Sequence, residues 1–201
     1  YPTFLAEIAS TFNETLLVQY FLETETDDLL KLYILDQYLE GFRGTLYRQT
    51  LFADFEWLIH QQVEQDQTLT SDWLDHTYLD LTRQYYGHKK GIISVKKYIE
   101  NEWSNIPHFY YNFYVYQYST GIAAATALAE MVLTGGEAER NRYLRFLKSG
   151  GSKYPLDTLK EAGVDLTTPQ PIAMAIRKFD EMVSEMETIA GRIKSGRQPV
   201  A

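Results

Sequence analysis

Four histidines, His60, His76, His88 and His108, are the side chains of this 201-residue sequence best suited to hold a metal or move a proton near neutral pH. Their surroundings restrict what they can do. No H-E-x-x-H is present, the string that sets two ligating histidines and a glutamate on one helix face. No E-x-x-H pair exists either, because Trp57, Trp73, Tyr85 and Asn105 stand three residues before the histidines. That excludes a carboxylate-bridged di-iron bundle. His60 and His76 fall in amphipathic stretches and read as exposed helix residues. His88, in Gly87-His88-Lys89-Lys90, reads as part of a solvated loop. His108 follows Pro107 at the head of an uncharged run. A functional histidine and one satisfied by backbone at a helix start fit it equally.

A second group lies near the beginning of the chain, in Phe4-Leu5-Ala6-Glu7-Ile8-Ala9-Ser10-Thr11-Phe12-Asn13-Glu14. Seven positions are about two helical turns, so Glu7 and Glu14 share a face to within about 20°, with Ser10 beside it. A buried carboxylate is costly unless paired or bound to a cation. A half-buried helix with both glutamates in water is the plainer alternative. The strip Phe4, Leu5, Ile8, Phe12, Leu16 and Leu17 wraps widely enough to argue against a fully solvated Glu7. A third feature is the uncharged run from Trp103 to Ala129, which carries Tyr110, Tyr111, Tyr114, Tyr116 and Tyr118. Buried tyrosine hydroxyls need hydrogen-bond partners, so this run predicts either a packed core or the wall of a polar cleft.

The elements that must position these residues are helical nearly throughout, with no alternating strand pattern. The periodicity predicts a helix over Phe4–Leu22, entered at Pro2-Thr3. A long amphipathic stretch then runs from a cap at Thr26-Asp27-Asp28 to about Gln65. Gly41 and Gly44 are expected to bend it or to allow close packing. Another helix runs from Thr70-Ser71-Asp72 to Gly87, and His88–Lys97 reads as a basic loop. One helix is predicted from Ile106-Pro107 to Leu133, ended by Gly135-Gly136. Shorter helices follow at Glu137–Lys148 and from Tyr154-Pro155 to Gly163. Pro169–Ile193 forms the last helix, and the tail from Lys194 frays. The whole of 1–201 is expected to form a single all-α unit.

Composition narrows the class. Hydrophobic residues make up 45% and charged residues 23%, as in ordinary globular chains. A net charge of −8 argues against nucleic acid as a partner, since phosphate binding needs a basic face. The absence of cysteine excludes disulfide scaffolds, iron–sulfur clusters and thiol nucleophiles, and fits a reducing, cytoplasmic setting. The Trp103–Ala129 run is long enough to span a bilayer, but Asn105, His108, Asn112, Gln117 and its tyrosines argue against a membrane.

Residues Tyr1–Glu14 resemble the segment that follows the zinc helix in the oligoendopeptidase F family, which groups with thimet oligopeptidase and neurolysin. The resemblance continues through His108-Phe109-Tyr110-Tyr111-Asn112-Phe113-Tyr114-Val115-Tyr116-Gln117-Tyr118-Ser119-Thr120-Gly121. It extends to Ser149–Pro155 and to Ala162-Gly163-Val164-Asp165, in the family's order and almost end to end. The strings E-x-x-S-x-x-x-E and F-Y-V-Y-Q-Y-x-x-G are specific jointly.

The resemblance implies the C-terminal part of a zincin-type helical peptidase domain. In that family two histidines and the general-base glutamate come from an upstream H-E-x-x-H helix. Glu7 would then be the third zinc ligand, Glu14 would orient a zinc histidine, and Ser10 would pack beside them. His108, with Tyr114, Tyr116 and Tyr111, would donate hydrogen bonds to the oxyanion that forms on a scissile carbonyl. Thimet-type enzymes have a glycine-rich stretch where this sequence has Phe109-Tyr110-Tyr111-Asn112, so all three tyrosines stay candidates. The first residue is Tyr1, not Met, and Glu7 follows closely, which suggests a chain cut within such a site. The expected partners are short peptide substrates, the missing N-terminal part of the same peptidase and, through exposed apolar surface, other copies of the chain. By itself the chain is expected to be inactive. A non-catalytic helical peptide-binding or scaffold protein is the alternative. A metal-independent lyase or isomerase using His108 and Tyr114 is a third.

Overall fold

The computed structural model describes residues 3–196. Among them the periodicity resolves into eight α-helices and no strand. These are α1 (Thr3–Thr24), α2 (Asp28–Phe42), α3 (Arg48–Glu64), α4 (Ser71–Tyr85), α5 (Tyr116–Thr134), α6 (Glu137–Ser149), α7 (Pro155–Ala162) and α8 (Gln170–Lys194). The all-α class expected from the sequence is what the chain adopts. The caps are those the residue types call for: Asp27 accepts the Leu29 N–H at 2.8 Å, and Thr70 accepts that of Trp73 at 3.2 Å. Pro2 and the tail beyond Gly196 lie outside the described residues. Among those described, no helix is long and apolar enough to cross a membrane.

The chain groups into two compact units. Among the described residues the first comprises 3–46 and 120–196, the second 47–119. The boundary at 46/47 carries no linker signal because it falls inside helical backbone. There α2 runs into a π-helical turn, Arg43–Tyr47, that precedes α3. Helical backbone thus runs unbroken from Asp28 to Glu64, close to the stretch expected to end at Gln65, with this turn inside it. Neither Gly41 nor Gly44 serves close packing, because a Cβ at either position would meet no atom within 4 Å.

In the first unit, α1 buries Leu5, Ile8 and Phe12 against α5, α6 and the turn after α7. The Phe12 ring stacks on Tyr143 at 3.7 Å. The α5 segment Gly121–Ala129 is buried throughout, and its alanines let neighbouring side chains approach the backbone. A second core joins α2 to α8 through Leu35, Leu39, Met182 and Ile189. At its end Arg192 grips the buried Asp28 carboxylate with two hydrogen bonds, of 2.9 and 2.6 Å. Gly163 ends α7 at φ 108°, a conformation that disfavours any side chain.

In the second unit, α3 presents Leu51, Phe52, Phe55 and Glu56 inward. Its aromatic core adds Tyr78 from α4, Trp103 from a 3₁₀ helix (Lys97–Asn105) and Phe109 from another (Pro107–Tyr111). Neither 3₁₀ helix is expected from the sequence. The single helix predicted from Ile106 to Leu133 is broken: backbone at Asn112 and Phe113 turns to φ 41° and 54°, and α5 starts only at Tyr116.

Candidate functional site

The two candidate groups lie in different units. On α1 the register does all the placing. Ile8 and Phe12 take the core side, and Glu7, Ser10, Asn13 and Glu14 are exposed on the other. The apolar strip therefore does not shield Glu7, contrary to the sequence expectation, because α1 sinks one face only. The Ser10 hydroxyl is turned back on its own helix, donating to the Glu7 carbonyl at 3.0 Å. Glu14 lines an apolar cavity of about 370 Å³ with Leu17, Val18, Tyr33, Tyr38 and Phe42. Burial, with the charge of Glu14 adding to it, pushes the Tyr38 hydroxyl up, while its bond to Thr15 (3.3 Å) pulls the other way. Among the described residues no group of three or more His, Cys, Asp or Glu could hold a metal ion.

In the second unit the chain gathers His108 with three tyrosines. Ile106 and Phe109 anchor the Pro107–Tyr111 3₁₀ turn, Phe109 meeting Phe52 and Phe55 edge-on at 5.5 and 5.3 Å. Val115, fully buried, anchors the chain after the break. Between these anchors, residues three apart in a 3₁₀ turn eclipse one another, which puts His108 and Tyr111 on one side. Their rings meet at 6.2 Å. The left-handed turn brings Tyr114 back over His108, nearly parallel, at 5.7 Å. Tyr118, one turn beyond Tyr114, closes the group at 6.0 Å from His108 and 5.5 Å from Tyr114. The hydroxyls of Tyr118 and Tyr114 are 3.4 Å apart. His108 is half-buried, as are Tyr114 and Tyr118, while Tyr111 is exposed. Tyr116, also a sequence candidate, is exposed at the start of α5. Tyr118 was missed as a candidate, although its spacing of four from Tyr114 is a signal for adjacency on a helix.

The turn that makes this cluster is held from α3. Glu56, 2% exposed, accepts the Phe113 N–H on Oε1 at 2.5 Å. Burial pushes the Glu56 carboxyl up, against the pull of the Phe113 N–H and of His60. One turn along α3, His60 lays its ring against the Phe113 ring at 4.2 Å. Its Nδ1 lies 2.8 Å from the Glu56 carbonyl oxygen, so Nδ1 carries the proton. Two non-glycine residues at positive φ cost on the order of 1 kcal/mol each, and such strain persists only where neighbours over-determine it. Here Glu56 and His60 do so. His60 is thus not the exposed helix residue the amphipathic pattern suggests. Glu56 was missed too, although it falls on the stripe Phe52, Phe55, Ile59 where an apolar residue is expected.

The other histidines close local structure. His76 Nδ1 bonds the Asp72 carbonyl at 2.6 Å, and His88 accepts the Val95 N–H at 3.0 Å, which ties down its loop. A cavity of about 200 Å³ in this unit lies over Arg48, Glu102 and Tyr78. The Glu102 carboxylate takes both Arg48 (2.7 Å) and the Tyr78 hydroxyl (2.5 Å). The three side chains satisfy one another and act as a structural tie.

The fold is all-α, with a histidine and tyrosine hydroxyls gathered in the second unit. The chain belongs to peptidase family M3, whose family model matches residues 1–178. It is 50% identical over 194 residues to oligopeptidase PepF of Bacillus subtilis (strain 168), covering 96% of this chain and 28% of that protein. It is 45% identical to group B oligopeptidase PepB of Streptococcus agalactiae, covering 96% of this chain and 31% of that one. The crystal structure of oligoendopeptidase-F from Enterococcus faecium superposes with a TM-score of 0.87 at 46% identity, over 94% of this chain and 36% of that one. The chain thus spans under a third of the length of these two curated relatives.

Proposed function

We propose that the chain is the C-terminal part of a zinc-dependent oligoendopeptidase catalytic domain, which hydrolyses short peptides with a metal-activated water. The observation that carries this reading is the His108–Tyr111–Tyr114–Tyr118 cluster in a member of peptidase family M3. Zinc, when bound, supplies a Lewis acid that makes its coordinated water acidic near neutral pH. An exposed glutamate on a regular helix fits one ligand of such a site, and that role falls to Glu7. The remaining ligands and the general base would come from an upstream segment of the same peptidase. Glu14, two turns on, orients a ligating histidine of that segment. His108 and Tyr114, with Tyr116 and Tyr111, donate hydrogen bonds to the oxyanion of the scissile carbonyl. Neutral donors that are already positioned cost no reorganisation when charge develops, and one such donor is worth about 10²–10³ in rate.

The 201 residues alone are inactive in this reading. Exposed apolar side chains on α1 and α2, among them Leu17, Phe21, Leu29 and Tyr33, support contact with the rest of the peptidase or self-association of the chain. A cytoplasmic setting belongs to the same proposal and rests on the absence of cysteine.

The test is cleavage of a short quenched-fluorescence peptide by the complete polypeptide that carries this chain. Activity that a chelator removes and zinc restores, with zinc content lowered by Glu7→Gln, is expected. Zinc-dependent cleavage by the 201-residue chain alone would overturn the division of ligands. Peptide binding by the complete polypeptide without cleavage would favour the non-catalytic peptide-binding alternative.

A further inference from the structure

We infer that Glu56 is a positioning residue. Through its hydrogen bond to the Phe113 N–H, it holds the left-handed Asn112-Phe113 turn that stacks Tyr114 on His108. Three observations converge on it. The backbone between the two anchors, Phe109 and Val115, cannot continue as helix, since Asn112 and Phe113 are both at positive φ. The N–H at the centre of that turn ends on a carboxylate buried to 2% exposure, on an element more than forty residues away in sequence. The next turn of the helix lays the His60 ring against the Phe113 ring, with His60 itself tethered to the Glu56 carbonyl. Backbone and side chain of one residue are therefore both met from α3, by Glu56 and, one turn on, by His60.

A buried carboxylate is a costly residue to keep for packing alone, because an apolar side chain of similar size would fill the space without desolvating a charge. What an apolar side chain lacks is an acceptor for the Phe113 N–H. With that acceptor removed, φ at Asn112 and Phe113 relaxes toward negative values. The residues after the turn then rotate, and Tyr114 leaves the face of His108. Tyr111 stays with His108, because those two share the 3₁₀ turn on the near side of the break. The requirement is for an acceptor rather than a charge, so Gln at this position keeps the turn.

As a contribution to catalysis this rests on the proposed peptidase function; as a statement about the turn it does not. The experiment keeps the two apart. In the chain itself, amide hydrogen exchange at Phe113 and nuclear Overhauser contacts between the His108 and Tyr114 rings are measured for the parent, Glu56→Gln and Glu56→Ala. The expected result is a protected Phe113 amide and intact ring contacts in the parent and in Glu56→Gln. Glu56→Ala should lose both while keeping its helix content and its His108–Tyr111 contact. A Phe113 amide that exchanges at the solvent rate in the parent would overturn the inference whether or not any variant folds. So would ring contacts that persist in Glu56→Ala.

In the complete polypeptide, Glu56→Ala should lower kcat about tenfold or more with KM within about twofold, and Glu56→Gln should restore it. An equal loss in both variants would contradict the acceptor role. Absence of any peptidase activity in the parent would refute the proposed function and leave the ring contacts to decide on Glu56.

Discussion

Two carboxylates, Glu7 on α1 and Glu56 on α3, show how differently a helix can present the same side chain. Glu7 is exposed by register: α1 is regular, its core face is set by Leu5, Ile8 and Phe12, and whatever is left points to water. Glu56 sits where register demands an apolar residue, and it is kept there by a backbone N–H that reaches it from another segment. The first carboxylate is free to serve a partner outside the chain. The second is fully engaged within its unit and shapes the backbone that displays His108 and Tyr114. A polar group set by periodicity alone is replaceable without harm to the fold; one set against periodicity is replaceable only by a side chain that keeps its hydrogen bond.

The largest effect on folding should come from the packing that aligns α1. Phe12→Ala removes a ring that is 2% exposed and stacked on Tyr143, and should lower stability by about 3–5 kcal/mol in chemical denaturation. Next is Glu56→Ala, which leaves the Phe113 N–H without its acceptor. A loss of about 1–3 kcal/mol is expected, with Glu56→Gln close to the parent or above it. Smallest is Glu7→Gln, which should stay within about 0.5 kcal/mol of the parent at neutral pH. A loss at Glu7 as large as that at Glu56 would break the contrast between them.

Acid titration sharpens the comparison by sign. Bonds from Lys160 and Thr167 hold the half-buried Asp165 carboxyl down to about 2, below its ordinary 3.8. Its contribution is therefore present above about pH 4 and is lost as pH falls toward 2. Glu56 is raised above its ordinary 4.5, chiefly by burial. Its native form holds a proton that the unfolded chain has released, so stability falls as pH rises from 4.5 through the raised value. Denaturation curves across this acid range should lose the Glu56 slope in Glu56→Gln and the Asp165 slope in Asp165→Asn. An unchanged pH profile in both variants would contradict these assignments.

Much of the fold was legible because helical periodicity and caps act locally. Asp27, Thr70 and Gly163 mark α2, α4 and α7 where the residue types say they should. The face that Glu7 and Glu14 share follows from the same local rule. The break at Asn112-Phe113 was not legible. No glycine or proline stands at the break, and the force that makes it comes from Glu56, distant in sequence. Spacing therefore placed His108 at the head of one long helix, whereas the chain folds back to stack it against Tyr114 and brings in Tyr118.

The proposed role of the His108–Tyr114 pair is to stabilise the oxyanion in peptide hydrolysis. Its most direct test is kcat for a short peptide in the complete polypeptide carrying Tyr114→Phe, which removes one hydroxyl and leaves the ring stack in place. A fall of about 10²–10³ in kcat with KM little changed is the result this structure leads us to expect. A kcat equal to that of the parent would show that the hydroxyl stacked over His108 takes no part in the reaction.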